Sequence, residues 1–201
     1  MRSLHMKLVM IMVLLILSLM MVVGAFLINS VTAFYLEDFY SQMSDVFSDP
    51  GLVSDLTTET PDEENGAERM ADVLDAYVGV LGVDGRNGKL YILDSDGVCL
   101  VAPEGENQVL EYTKNLNFAL NTGLETNEVG DESNLAADYM DLAVPIHRGD
   151  EGYVIYILDN KATANSLTEK MFLLIMEALV FGLVISVLLS FLLSKTMVTP
   201  I

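Results

Sequence analysis

Two apolar runs, Leu8 to Ile28 and Met171 to Leu193, stand at opposite ends of a 201-residue chain, with an acidic segment between them. The first, LVMIMVLLILSLMMVVGAFLI, holds 21 residues without a charge. At about 1.5 Å per residue it covers the ~30 Å hydrocarbon thickness of a bilayer. The second, MFLLIMEALVFGLVISVLLSFLL, holds 23 residues and one interruption, Glu177, near enough to its start for the carboxylate to reach toward the headgroups. Both are expected to span. Val31-Thr32-Ala33 has the small residues of a signal cleavage site, but a removable core usually has ~7 to 15 apolar residues. The first run is therefore expected to stay as an anchor.

Orientation follows from the flanks, because basic residues close to membrane ends stay in the cytoplasm. Arg2 and Lys7 precede the first run and Lys195 follows the second, so both termini are expected to face the cytoplasm. The expected division is a cytoplasmic tail at 1–7, a first span at 8–28, an extracytoplasmic domain with a helical stalk at 29–170, a second span at 171–193 and a short cytoplasmic segment at 194–201. Of the 29 acidic residues only Glu177 falls outside 29–170, a segment that holds just seven of the 10 basic ones. Such a charge excludes a nucleic-acid grip and disfavours adsorption on anionic lipid. About 140 residues suffice for one domain with its own core. Cys99 is the single cysteine, so that core holds without an internal disulfide.

Along the exported segment, Val31, Phe34, Tyr35, Phe39, Met43, Val46 and Phe47 continue a helical stripe outward from the first span. Asp49-Pro50-Gly51 is expected to stop it, and Gly51 to Gly66 reads as an acidic loop. A helix fits Ala67 to Leu81. Strands fit Leu90 to Leu93 and Val98 to Ala102 around the turn Asp94-Ser95-Asp96-Gly97. A helix follows from Asn107 to Leu120, ending near Gly123, then a second acidic loop from Glu125 to Asn134. Strands at Tyr139 to Ile146 and Tyr153 to Leu158 flank a turn at His147 to Gly152, and a helix from Ala162 enters the second span. The word YILD occurs at Tyr91 to Asp94 and again at Tyr156 to Asp159, with no longer repeat around it. This order predicts one α+β domain with an antiparallel sheet.

Little in the exported segment points to catalysis. Asp94-Ser95-Asp96-Gly97 starts like a calcium loop, but Gly105 stands at the twelfth position, where a bidentate acid is required. Gly82 to Gly88 has the spacing GxxGxxG and precedes a strand, so it presents no helix N-terminus to a phosphate. His5 and His147 are the only histidines and fall on opposite sides of the membrane, which leaves no pair for metal or acid–base work; His147 retains a possible role in pH sensing. Cys99 lies between Val98 and Leu100 in a strand and reads as an inert thiol. Asp62, Glu63, Glu64 and Glu68 in one loop, and Glu125, Glu128, Asp131 and Glu132 in the other, are weak candidates for divalent cations; a solvated charged surface accounts for them better. Seven of the 12 methionines, Met10, Met12, Met20, Met21, Met171, Met176 and Met197, lie in or beside the spans, where they serve packing. Ala178, Gly182, Ser186, Ser190 and Ser194 recur every fourth residue in the second span, a spacing at which helix backbones approach closely.

The segments YILDSDGVCLVAP and DLAVPIHRGDEGYVIYILDN, with a helix and a variable loop between them, resemble the extracytoplasmic PAS-like (single Cache) domains of bacterial sensor histidine kinases, notably the cell-wall-regulating kinases of Gram-positive bacteria. The carrying marks are the Asp-Gly hairpin and the strand Ala143 to Ile146. The ending LLSKTMVTPI, with Pro200 and Ile201, is similar to the start of a HAMP linker. The resemblance implies the input half of a homodimeric sensor kinase, with Pro200 and the small-residue row transmitting the signal. It also implies a phosphoacceptor helix, an ATP- and Mg-dependent kinase domain and a contact with a response regulator, all in residues that would follow Ile201 in a full-length protein. The ligand or partner protein outside the cell stays open. A chemoreceptor or a cyclic-dinucleotide enzyme with the same input, or a membrane-anchored binding protein without signalling, are the alternatives.

Overall fold

The computed structural model describes residues 4–58, 65–77, 88–103 and 112–197. In chain order its elements are α1 (Leu4–Phe47), α2 (Pro50–Thr57), α3 (Gly66–Tyr77), β1 (Gly88–Asp94), β2 (Cys99–Val101), α4 (Lys114–Phe118), a π-helical turn (Ala119–Gly123), α5 (Leu124–Thr126), β3 (Met140–Arg148), β4 (Glu151–Asp159) and α6 (Ala162–Met197). They divide into two compact units, Met1–Ala33 with Ala164–Ile201, and Phe34–Thr163.

The first unit pairs the apolar parts of α1 and α6. Both helices are long and apolar enough to cross a membrane. Only 6% of the most apolar window of α1, and 0% of that of α6, is buried, which separates them from the core helices of a soluble fold. The helices come close at Gly24: a Cβ there would stand 3.3 Å from Ile175 Cγ2. Beside it lies an apolar groove of about 450 Å³, lined among others by Val23, Leu27, Leu174 and Ala178.

The second unit is α+β, as the pattern of runs predicts, with a four-stranded antiparallel sheet ordered β2-β1-β4-β3. The two YILD words lie on its central strands and cross at their tyrosines, Tyr91 opposite Tyr156, with Ile92 opposite Ile155. Side chains alternate between the two faces of a strand, so the sheet builds two cores. On one face Ile92, Leu142, Val144, Ile155 and Ile157 meet Leu36, Met43 and Val46 of α1, Leu52 and Leu56 of α2, and Met70 and Leu74 of α3. On the other, Tyr91, Leu93, Ala143, Val154 and Tyr156 meet Leu116 and Ala119.

β3 is an edge strand, which is where a proline belongs, because Pro145 has no N–H for an outer neighbour. Two residues earlier the edge is covered: Ala143 exchanges both backbone hydrogen bonds with Gly130, at 2.8 and 3.0 Å. Gly130 reaches that position by pressing on α4, where a Cβ would meet the Asn115 carbonyl oxygen at 2.3 Å. At the other edge, Asp94 Oδ1 accepts from the N–H groups of Asp96 and Val98, at 3.0 and 2.8 Å, and Gly97 takes φ 80. The carboxylate that resembled a calcium ligand closes its own turn.

Several elements differ from the sequence expectation. Asp49-Pro50-Gly51 ends α1, yet residues 51–57 of the expected loop are helix, and 59–64 lie outside the described residues. Asp49 Oδ1 accepts from Gly51 N and Leu52 N at 2.7 and 3.1 Å, and Pro50 sits in the first turn, so the breaker of one helix starts the next. α4 begins at Lys114, capped by Thr113, and residues 107–111 of the expected helix lie outside the described ones. That helix also passes Gly123 and ends at Thr126, with Asn127 left-handed at φ 58, so Glu125 is helical. His147 belongs to β3; the turn is the two residues Gly149-Asp150, with Gly149 at φ 58. Val78 to Leu81 of the expected second helix, and the glycine run up to Asn87, lie outside the described residues.

Gly130→Ala is expected to destabilise the sheet unit by about 2 kcal/mol or more, since the new methyl meets backbone that cannot rotate away. Thermal unfolding of the full chain in detergent, followed by circular dichroism, measures this.

Candidate functional site

The strand MDLAVPI alternates, and its alternation places Asp141 on the same side as Ala143, in the core and only 4% exposed. A carboxylate in that position must find donors. It finds three. Thr113 Oγ1 donates to Oδ2, Asn115 Nδ2 donates to Oδ1 at 2.9 Å, and the Tyr156 hydroxyl lies 3.4 Å from Oδ2 and 3.2 Å from Thr113 Oγ1. Thr113 is also the N-cap of α4, accepting from Leu116 N at 3.2 Å. Burial raises the Asp141 carboxyl above its usual range, and the three hydrogen bonds hold that rise back. Burial, with the nearby Asp141 charge adding to it, pushes the Tyr156 phenol up as well, so it serves as a donor and not as an acid.

Asn115 joins this cluster to the loop over the β3 edge. Its Oδ1 accepts from Glu132 N at 2.9 Å, while its Nδ2 donates to Glu132 O and Asp141 O, each at 3.1 Å. From the other sheet face, the Tyr40 hydroxyl of α1 reaches the same Glu132 carbonyl at 3.5 Å. Further along this loop, the ammonium of Lys161, buried and left-handed at φ 53, donates to the carbonyls of Asn134 and Ala137 at 2.9 and 2.6 Å. Burial lowers its pKa, and Asp138 opposes that shift. Arg148, also buried, donates to the Leu56 carbonyl in the last turn of α2 at 2.9 Å. Positive charge is favoured at a helix C-terminus.

Asp141, Arg148 and Tyr156 fall within DLAVPIHRGDEGYVIYILDN, but neither they nor Asn115, Thr113 and Lys161 were singled out as site residues. Strand parity gave little signal, because the apolar face of β3 is that of Met140, Leu142, Val144 and Ile146, whereas Asp141 shares the other with Ala143 and Pro145, which the structure buries as well. A charged residue there is either paired or functional.

The residues singled out from sequence are dispersed. Glu125 is exposed on α5, Glu128 lies 3.4 Å from Thr126 Oγ1, and Asp131 is exposed. Glu132 pairs with Lys114 at 2.5 Å in solvent. Among the described residues no three His, Cys, Asp or Glu come together as a cation site would need. Glu68 is exposed on α3; Asp62, Glu63 and Glu64 lie outside the described residues. A ring nitrogen of His147 lies 2.7 Å from the Leu124 carbonyl oxygen, while the side chain stays exposed. Burial raises the Cys99 thiol, which leaves it little thiolate. In the apolar unit Ala178 lines the groove, Ser186 is half-buried, and a Cβ on Gly182 would meet nothing within 4 Å. The side chains of Ser190 and Ser194, and all of Pro200, lie outside the described residues. A close-packing residue of this unit is Gly24 on the first helix, which the every-fourth-residue row did not include.

The hydroxyl held by a carboxylate in this cluster, Thr113 Oγ1 on Asp141, is buried and also caps α4, and each polar atom named is engaged by a protein neighbour. Its chemistry is that of a sealed hydrogen-bond network with one titratable carboxylate. A comparison of the chain with protein-family models, with curated proteins and with solved structures finds no match.

Two outcomes follow for this network. Because the folded state raises the Asp141 pKa, its contribution to stability is greatest below the ordinary carboxylate value of about 4 and declines as pH rises through the folded value. Asp141→Asn should remove that decline, leaving a flatter profile of Tm against pH. Thr113→Val removes both a cap and a donor to the buried carboxylate, and should cost about 2–3 kcal/mol by the same melting assay.

Proposed function

We propose that the chain is the sensing region of a membrane-bound bacterial signalling protein, with a PAS-like (Cache) domain outside the cell held between two membrane-spanning helices. The output we assign is a sensor histidine kinase of the cell-wall-regulating type, working as a homodimer. Its HAMP linker would start at Pro200. Its ATP and magnesium chemistry, and its response regulator, would belong to residues that follow Ile201 in the full-length protein.

One observation carries this reading. α1 holds both an exposed, membrane-length apolar stretch and, from Leu36 to Val46, four core side chains of the sheet domain. The chain leaves the sheet in the same way, since α6 starts at Ala162, three residues after the end of β4, and continues through the second apolar run. Rigid helices joined to a packed domain can pass on a change of packing that a flexible linker would dissipate. A ligand or partner that prefers one packing shifts the population toward it. The strongly acidic exported segment agrees with a solvated domain that stands off anionic lipid.

Topology is tested by cysteine labelling of intact cells in a Cys99→Ala background. Ser95→Cys should react with an impermeant maleimide, whereas Ser3→Cys should react only after lysis; the reverse pattern overturns the reading. The coding sequence after Ile201 separates the outputs. A histidine-bearing dimerisation helix supports the kinase, long methylation helices indicate a chemoreceptor, a nucleotide-cyclising domain indicates a cyclic-dinucleotide enzyme, and a stop codon indicates an anchored binder. A Cβ on Gly182 would enter open space, so Gly182→Leu can be placed there without a clash at its Cβ. It should change signalling output in a full-length reporter strain while membrane insertion persists.

A further inference from the structure

Residues 131–139 are held at three places by three separate parts of the sheet domain. Near the start, the backbone of Glu132 is gripped by the Asn115 side chain through its N–H and its carbonyl, at 2.9 and 3.1 Å. The same carbonyl takes the Tyr40 hydroxyl from α1. Further on, the Lys161 ammonium donates to Asn134 O and Ala137 O. Lys161 is the last residue before α6, and its backbone is fixed in turn: its N–H donates to Asp159 Oδ1 at 2.8 Å, and the next N–H, that of Ala162, donates to Asn160 Oδ1 at 3.0 Å.

A lysine in the left-handed region is uncommon and costs backbone energy. Keeping its ammonium buried against two carbonyls costs desolvation as well, which lowers its pKa. A solvated lysine in a relaxed turn would avoid both penalties. What the arrangement gains is a fixed link between the chain's exit from β4 and the loop that also holds α1.

We propose that residues 131–139 form a latch, closed by Asn115 and Tyr40 at one end and by the Lys161 ammonium at the other, through which the packing of α1 and the exit into α6 are coupled. This deepens the sensor reading and rests on it only for the meaning of the movement; the coupling is a property of the fold. Since coupling between two sites is reciprocal, breaking either end must loosen the other. The side chain of Glu132 plays no part in this grip, because both bonds with Asn115 use its backbone, and its ion pair with Lys114 lies in solvent.

Hydrogen–deuterium exchange on the full chain in lipid nanodiscs tests this. Lys161→Met keeps size and backbone conformation but removes the donor. It should speed exchange across 131–139 by about tenfold or more, including the Glu132 amide at the far end. Asn115→Ala should speed exchange of the Lys161 and Ala162 amides, and Tyr40→Phe, which removes one hydroxyl, replaces it if that variant fails to fold. Glu132→Ala should leave all of these amides unchanged. The latch is overturned if each substitution loosens only its own end, or if Glu132→Ala acts like Asn115→Ala. No signalling output is read, so the latch fails on exchange alone, whereas the sensor reading fails on topology or on the downstream coding sequence.

Discussion

The pairing of β1 with β4 is the constraint on which the rest of the sheet domain depends. These strands lie more than 50 residues apart in the chain yet run opposite each other in register from Gly88 and Asp159 to Asp94 and Tyr153. Slipping by one residue would turn every side chain to the wrong face. Ile92, Ile155 and Ile157 would then leave the core formed with α1, α2 and α3, and Tyr91 and Tyr156 would leave the core formed with α4. β2 is added on one side and β3 on the other, so both edges inherit their register from the central pair. Such long-range pairing forms only after a large loop is closed, which places this domain among the slower-folding topologies.

Much of this architecture was legible. The two apolar runs, the Asp-Gly hairpin and the last two strands are local signals, written in hydrophobic periodicity and turn chemistry. What was not legible was mostly non-local. The repeated YILD gave no local sign that its copies face each other across the sheet, because register depends on residues elsewhere in the chain. α2 is the exception: Asp49 and Pro50 carry a helix-start signature, but they also end α1, and the breaker reading hid the starter. At the candidate site, Asp141 alternates with the apolar row Met140, Leu142, Val144 and Ile146 and so reads as outward; it is buried because α4 covers the second face of the sheet. Its partners Thr113 and Asn115 were hidden too, since they arrive from α4 only through the tertiary fold. Lys161 looked like an ordinary linker residue, and neither its left-handed backbone nor its burial is encoded within a few residues of it.

Charge is used in two ways in this domain. Most of the acidic residues lie in solvent, where they need no partner and serve solubility. Asp141, Lys161 and Arg148 are the described charged residues in the core, and each is met by hydrogen-bonding groups of its own chain. Two of the three lie at the β3 edge or its covering loop, and Arg148 lies at the end of the same strand. The sheet therefore has an apolar middle and a polar margin.

The uninterrupted course of α1 also fixes its length. Each residue of an α-helix advances the direction of a side chain by about 100°. One residue inserted between Phe39 and Met43 would therefore turn Leu36 and Phe39 by nearly a third of a turn away from Met43 and Val46, and all four side chains are held in the core. Seven inserted residues would restore the phase to within about 20°. Homologous chains that keep this arrangement should accordingly exclude single-residue insertions between Leu36 and Val46, so the spacing of these four side chains records which side of the helix must meet the sheet.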